Sequence, residues 1–402
     1  MQNQRFLNTY LLRLLRAFAE QSTDFPASPA DSGVSLEELY KLCQMHNVTA
    51  IAYTVLNQIC PDENALTTFK EAMVGAVFRS TLLDSAVSEV TGQLEKEGIP
   101  YTILKGYRIK EDYPIPELRT MGDVDFLIDK KYRTQMDRAL TGIGYEKEGL
   151  EGSTWVYKQA GIMLEMHSKL ASGKYWNDVD YEKYFSSYFS RLQPSDRGCE
   201  KMLRMEDHFI FLIFHFAKHL QSSGAGIRMV LDLAIYLNNH MKSMDWNYIQ
   251  GELKSICLLD FAENALSLCH FWFGSSMPEG FQVCGSELRE QMLAYIMQGG
   301  IFGFERPDSI RRLRQGIGQK NLSGNRSIQI LALLKLLFPG RKHMREFLPA
   351  VERHIWLLPA AWVKRWKMGL DNRERVEDSL AGFHENVDEA KEQYRLLKRI
   401  GL

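Results

Sequence analysis

A chain of 402 residues, 45% of them hydrophobic, can bury a full core and is long enough for two or three domains, which marks it as globular. The formal net charge of −1 and a pI near 6.8 argue against a generally cationic nucleic-acid binder, leaving only local patches such as Arg311-Arg312-Leu313-Arg314. Six cysteines (Cys43, Cys60, Cys199, Cys257, Cys269 and Cys284) share no C-x-x-C spacing and read as reduced core thiols of a cytoplasmic protein.

In chain order, Leu7 to Ala19 has apolar residues at helical spacing, while Met1 to Glu20 lacks the continuous apolar segment of a signal peptide or membrane span. Gln21 to Ser32, rich in Ser, Pro, Asp and Ala, reads as a loop, and Ser35-Leu36-Glu37-Glu38 is a capping box that opens a second helix. Residues 65–97 form a long periodic helix with Leu82, Leu83, Val87, Val90 and Leu94 on one stripe, stopped by Gly98-Ile99-Pro100. Strand-like runs cluster between 100 and 167: Tyr101 to Leu104, the run around Asp123 to Asp129, and a hairpin. In the hairpin, Trp155-Val156-Tyr157 turns through Gln159-Ala160-Gly161 into Ile162 to His167. A helix from Lys131 to Thr141 interrupts these strands. Beyond residue 200 helical periodicity returns, through Met205 to Leu220, Ile227 to His240, Ile249 to Phe273, Ser286 to Met297, Ser327 to Phe338 and Val387 to Ile400. Gly299 to Gly303 and Ser323-Gly324-Asn325 punctuate them. These elements predict an α+β fold with a helical region over 1–98, a small mixed sheet over 99–200 and a C-terminal helical domain over 201–402.

The densest chemical signal is Asp123-Val124-Asp125-Phe126-Leu127. Side chains two apart in a strand share a face, so the two carboxylates stand side by side while Val124, Phe126 and Ile128 face the core. Two adjacent anions call for a cation, and Mg²⁺ or Mn²⁺ takes hard oxygen ligands while still accepting phosphate oxygens. Glu165, on the second run of the hairpin, completes a three-carboxylate cluster if that run lies beside the first; His167 shares its face, placed to touch a phosphate or orient a carboxylate. Lys105-Gly106 brings a lysine and backbone N–H groups to a strand end where a triphosphate can approach. Arg119 offers phosphate oxygens a planar fork. Together these groups have the chemistry of phosphoryl and nucleotidyl transfer. His215 and His219, at i,i+4 on an apolar helix, share one face. They read as cleft-lining histidines rather than a zinc site, since Phe216-Ala217-Lys218 between them lacks the glutamate of a zinc-protease motif and no cysteine is near. With Asp232 they define an alternative, a metal phosphohydrolase. Arg228 and Asp232, again i,i+4, read as an intrahelical ion pair.

Taken in order, Leu104-Lys105-Gly106, Tyr113-Pro114, Arg119, Asp123-Val124-Asp125-Phe126-Leu127, Gly144-Tyr145 and Glu165-Met166-His167, then His215, His219, Arg228 and Asp232, resemble the pattern of the uncharacterised nucleotidyltransferases of the DNA polymerase beta-like superfamily. The resemblance spans residues 70 to 240. It implies a minimal nucleotidyltransferase core with a helical partner domain, and a metal-dependent transfer from an NTP such as ATP. Asp123, Asp125 and Glu165 are then both metal ligands and catalytic groups. Lys105, Gly106, Arg119, His167, His215, His219, Arg228 and Asp232 border the nucleotide or acceptor pocket. The resemblance leaves the acceptor unassigned, and the near-neutral charge favours a small molecule or a protein over long nucleic acid. Two departures stand out: K-G replaces the superfamily's helix-opening G-S, and the segment from Gly106 to Asp123 is longer than in compact members. All three carboxylates are present, which favours an enzyme over a non-catalytic nucleotide-binding or antitoxin-like partner.

Overall fold

The computed structural model of the chain describes residues 2–60, 62–148, 153–222, 224–300 and 387–402, with parts of 313–370. Gly303, Arg311, Arg312, Ser323-Gly324-Asn325 and half of the expected helix from Ser327 to Phe338 lie outside the described residues. The chain divides into two compact units, one of Met1–Lys218, Gly226–Glu290 and Gly401, the other of His219–Ala225, Gln291–Ile400 and Leu402.

The larger unit carries a five-stranded mixed sheet, as the α+β reading requires. Its strands are β1 (Thr102–Ile103), β2 (Asp123–Leu127), β3 (Glu146–Glu148), β4 (Thr154–Gln159) and β5 (Ile162–His167), in the order β1-β2-β5-β4-β3. β2 and β5 run parallel with Asp125 opposite Glu165, and the other neighbours are antiparallel. Gln159 pairs with Ile162 across Ala160 and Gly161, whose φ values of 48° and 78° make a two-residue turn of the kind that matches strand twist. Alternation then does the sorting. Val124, Phe126, Trp155, Tyr157, Leu164 and Met166 are fully buried in one core, while Asp123, Asp125, Glu165 and His167 take the opposite face.

The core side of the sheet packs with the helix Thr67–Lys96 and with Met136 and Leu140 of the helix Arg133–Gly142. Leu83, Val87, Val90 and Leu94 are buried as their spacing predicts, but Leu82 is 44% exposed. It stands about 100° around the helix from Leu83 and so leaves the stripe. Ser35 accepts from the Glu38 N–H and caps the helix Leu36–His46. The helix Thr49–Ile59 is buried along most of its length, from Thr49 to Tyr53 and at Val55 and Leu56. The expected single helix from Ile249 to Phe273 is two, Trp246–Ser255 and Leu259–Phe273. Cys257, with φ of 54°, breaks the ladder, while Ile256 and Leu258 stay buried and carry the apolar pattern across the break. All six cysteines are free; Cys43 and Cys269 are core thiols, whereas Cys257 is exposed, against the expectation.

The smaller unit, where described, is helical and packs Met344, Val351 and Ala361 together with Trp362. Arg314 does not form the surface patch that its neighbours in sequence suggested. It is 4% exposed and donates to the carbonyls of Gln221 and Ser222 and to the Tyr295 hydroxyl, so it serves as a buried helix-end cap. Among the described residues no helix is long and apolar enough to cross a membrane.

Candidate active site

The polar face of the sheet gathers its charge around Asp125. This residue is 8% exposed, and one of its oxygens, Oδ1, accepts from Lys105 Nζ at 2.7 Å and from His167 Nε2 at 2.6 Å. His167 Nε2 also lies 3.2 Å from Glu165 Oε2, and its Nδ1 is 3.0 Å from the Thr154 hydroxyl, so the ring is fixed from both ends. Burial alone raises the pKa of Asp125, yet Lys105 and His167 outweigh it and hold the carboxyl well below the usual carboxylate range. Burial likewise works against charge on His167, but the hydrogen bonds it donates to Asp125 and Glu165 prevail and raise its pKa.

Asp125, Glu165 and His167 each present a ligand atom within 4.8 Å of the others, the one such group among the described residues. Two carboxylates and an imidazole suit Mg²⁺ or Mn²⁺, so the residues fit a divalent cation. This group contains His167 beside two of the three expected carboxylates, and Asp123 stands outside its 4.8 Å span. The register explains it: Glu165 sits directly across from Asp125, whereas Asp123 faces Met163, two residues or about 6.6 Å back along the strand. Asp123 still senses the cluster, since burial first, then Asp125 and Glu165, push its pKa up.

Lys105 reaches the cluster from a left-handed backbone conformation, φ 47°, at the turn between β1 and a short helix. Such a conformation costs a non-glycine residue about 1 kcal/mol or more and is tolerated where the surroundings fix it. Here the Leu104 N–H donates to the Asp125 carbonyl, and the side chain is tied to the same residue. Gly106 has a separate role. A Cβ there would stand 2.5 Å from Arg119 Nη1, so the glycine makes room for that guanidinium.

Arg119 itself does not open toward a phosphate. It is 6% exposed and donates from Nε and Nη2 to both oxygens of Asp232, at 3.0 and 2.7 Å, while the Tyr113 hydroxyl donates to Asp232 Oδ1 at 2.6 Å. The expected Arg228–Asp232 pair is therefore replaced by an Arg119–Asp232 pair, since a bidentate fork from a neighbouring element outcompetes a single-turn contact. It also removes Asp232 from the alternative histidine–aspartate metal centre. Arg228 donates to the Thr120 carbonyl at 2.8 Å, and Arg79 donates to the carbonyls of Met121 and Gly122 at 3.1 Å each. Three consecutive carbonyls ahead of Asp123 are thus held by arginines from two helices. Burial, then the nearby Arg119, pushes the pKa of Arg228 down to about 10.

A pocket adjoins the cluster, lined by Lys105, Thr154 and His167 from the sheet side and by Phe211, Phe214, His215 and Lys218 of the helix Met205–Ser222. His215 lines this pocket. His219 is not among the lining residues. On that turn the lining position is Lys218, at i+3 from His215, a lone lysine inside the apolar run Phe209 to Leu220 whose signal in the sequence is its isolation there. Arg79 and Thr154 carry no motif.

Residues 32–274 match the family described as uncharacterised nucleotidyltransferase. No curated protein and no solved structure gives a match.

Proposed function

The chain belongs to the uncharacterised nucleotidyltransferase family, and we propose that it transfers a nucleotidyl group from an NTP to a hydroxyl acceptor in a reaction that requires Mg²⁺ or Mn²⁺. The observation that supports this reading best is the convergence of Asp125, Glu165 and His167 within 4.8 Å on one sheet face, with Lys105 at the same carboxylate. Asp125 and Glu165 would hold the cation, with His167 and Asp123 beside them. When bound, a divalent cation polarises phosphoryl oxygens and offsets charge developing on them.

The chain's own residues supply the rest. In the transfer the acceptor oxygen forms a bond to the α-phosphorus as the bond to the bridging oxygen breaks, and pyrophosphate leaves. Glu165 positions and activates the acceptor hydroxyl. Lys105 brings a cation to oxygens on which negative charge accumulates, and a fixed charge in a partly buried site stabilises that charge without reorganisation. His167, clamped by Thr154, keeps the Asp125 oxygen in place. No covalent nucleophile is needed for an in-line displacement.

The test is incubation of the full chain with each labelled NTP and fractions of cell extract, with Mg²⁺, with Mn²⁺ or with chelator. Label transferred to an acceptor only when the cation is present is the expected result. Release of inorganic phosphate without transfer, or transfer undiminished by chelator, would overturn the reading.

A further inference from the structure

The pocket beside the carboxylates has a lining of its own chemical character. Three lysines, Lys105, Lys169 and Lys218, and the hydroxyls of Ser153, Thr154 and Ser172 face it, and no carboxylate does among the described residues. Its volume of ≈ 60 Å³ holds a few waters at about 15 Å³ each, the scale of a phosphate group or two. Two of the lysines are already tied, Lys105 to Asp125 and Lys169 to Glu182. Lys218 makes no hydrogen bond or ion pair with a described residue.

Lys218 is also expensive to keep. It interrupts a helix whose Phe209, Phe211, Phe214, Phe216 and Ala217 are all buried, and it is itself largely shielded from solvent. Phe211, Phe214, His215 and Lys218 recur at i, i+3, i+4 and i+7, so they form one face and aim at the pocket together. A shielded ammonium is unfavourable unless it meets an anion. Asp125 and Glu165 act on it only at a distance and are engaged with Lys105 and His167.

We infer that this pocket receives the diphosphate end of the NTP, the part that leaves as pyrophosphate, and that Lys218, without an ion pair among the described residues, is the cation that meets it. The inference rests on the nucleotidyl-transfer reading and names the subsite that reading lacks. It places the α-phosphate at the carboxylates and the β- and γ-phosphates between strand end and helix, where charge accumulates as pyrophosphate departs.

The experiment measures binding of inorganic pyrophosphate, a non-hydrolysable NTP analogue and the corresponding nucleoside monophosphate to the full chain by calorimetry with Mg²⁺ present. Lys218→Met keeps the length and the apolar stem without the charge, and Lys218→Arg keeps the charge. The expected result is that Lys218→Met weakens pyrophosphate and the NTP analogue by about ten- to a hundredfold, the range of a lost charge-assisted contact, and leaves the monophosphate unchanged. Lys218→Arg should retain most of the affinity and controls for folding. Equal pyrophosphate binding by wild type and Lys218→Met, or an equal loss for the monophosphate, would overturn the assignment. If pyrophosphate binding depends on Lys218 but no NTP yields transfer, the subsite stands and the transfer reading falls.

Discussion

At Asp125 a single oxygen receives both an ammonium and an imidazole, so the site carries its own cations and the carboxylate is kept ionised by them. Replacing Asp125 with Asn preserves shape and removes the anion. We expect transfer to fall by roughly two orders of magnitude or more, since charge stabilisation of several kcal/mol is at stake and each 1.36 kcal/mol is tenfold. Asp123→Asn should show the same direction. Near-wild-type transfer by either variant, with circular dichroism unchanged, would disprove the assignment of that residue. A different outcome is expected at Asp232, which is buried with Arg119 and Tyr113 and lies behind the site. Asp232→Asn leaves a buried guanidinium without its anion, a change of the class that costs about 3–5 kcal/mol. Urea midpoints check it. The double variant Arg119→Met, Asp232→Asn should recover part of the loss, because no unpaired charge remains; a double variant as unstable as the sum of the singles would argue against this explanation.

Among the elements, the β4–β5 hairpin decides whether Glu165 meets Asp125, because its turn fixes the register and a one-residue slip would send Glu165 into the core. The first turn position is Ala160 at φ 48°, a left-handed conformation that alanine adopts with strain of about 1 kcal/mol and asparagine accepts more readily. Ala160→Asn creates the favoured two-residue turn dipeptide with Gly161. It should stabilise the larger unit by about 0.5–1 kcal/mol and raise its thermal midpoint, with transfer unchanged. A lowered midpoint would show that the turn is not strained as described. Much of this element level could be read from the sequence. Alternation in β2 and β5 names the core and polar faces without any structure, and the capping box at Ser35 marks its helix start. What stayed hidden depended on partners distant in sequence: the Arg119–Asp232 fork spans 113 residues, and no local spacing announces it. Cys257 shows another limit, since the apolar pattern runs on through a break in the helix.

For the molecule as a whole, positive and negative charges nearly cancel at −1, so self-repulsion near neutrality is small and the pH dependence of stability falls to individual buried groups. His208 is the clearest of these. It is buried on the helix Met205–Ser222, its Nε2 has no hydrogen-bond partner among the described residues, and burial first, then Arg108 and His240, push its pKa down to about 3. An unfolded histidine titrates near ~6.5. Between those values the unfolded chain holds a proton that the folded chain refuses, so the folded state loses ground as pH falls. The stabilising contribution is complete above pH ~6.5 and declines as the pH drops toward the folded value, by a few kcal/mol at most on the scale of 1.36 kcal/mol per unit. Its direction is opposite to that of a histidine gaining an acidic partner. His208→Gln, which cannot take up the proton in either state, should flatten this limb. Urea midpoints of wild type and variant, measured from pH 7.5 down to 4.5, should converge on acidification, because only the wild type has this proton uptake on unfolding. Parallel curves would mean that His208 titrates alike in both states and that its burial has no part in acid sensitivity.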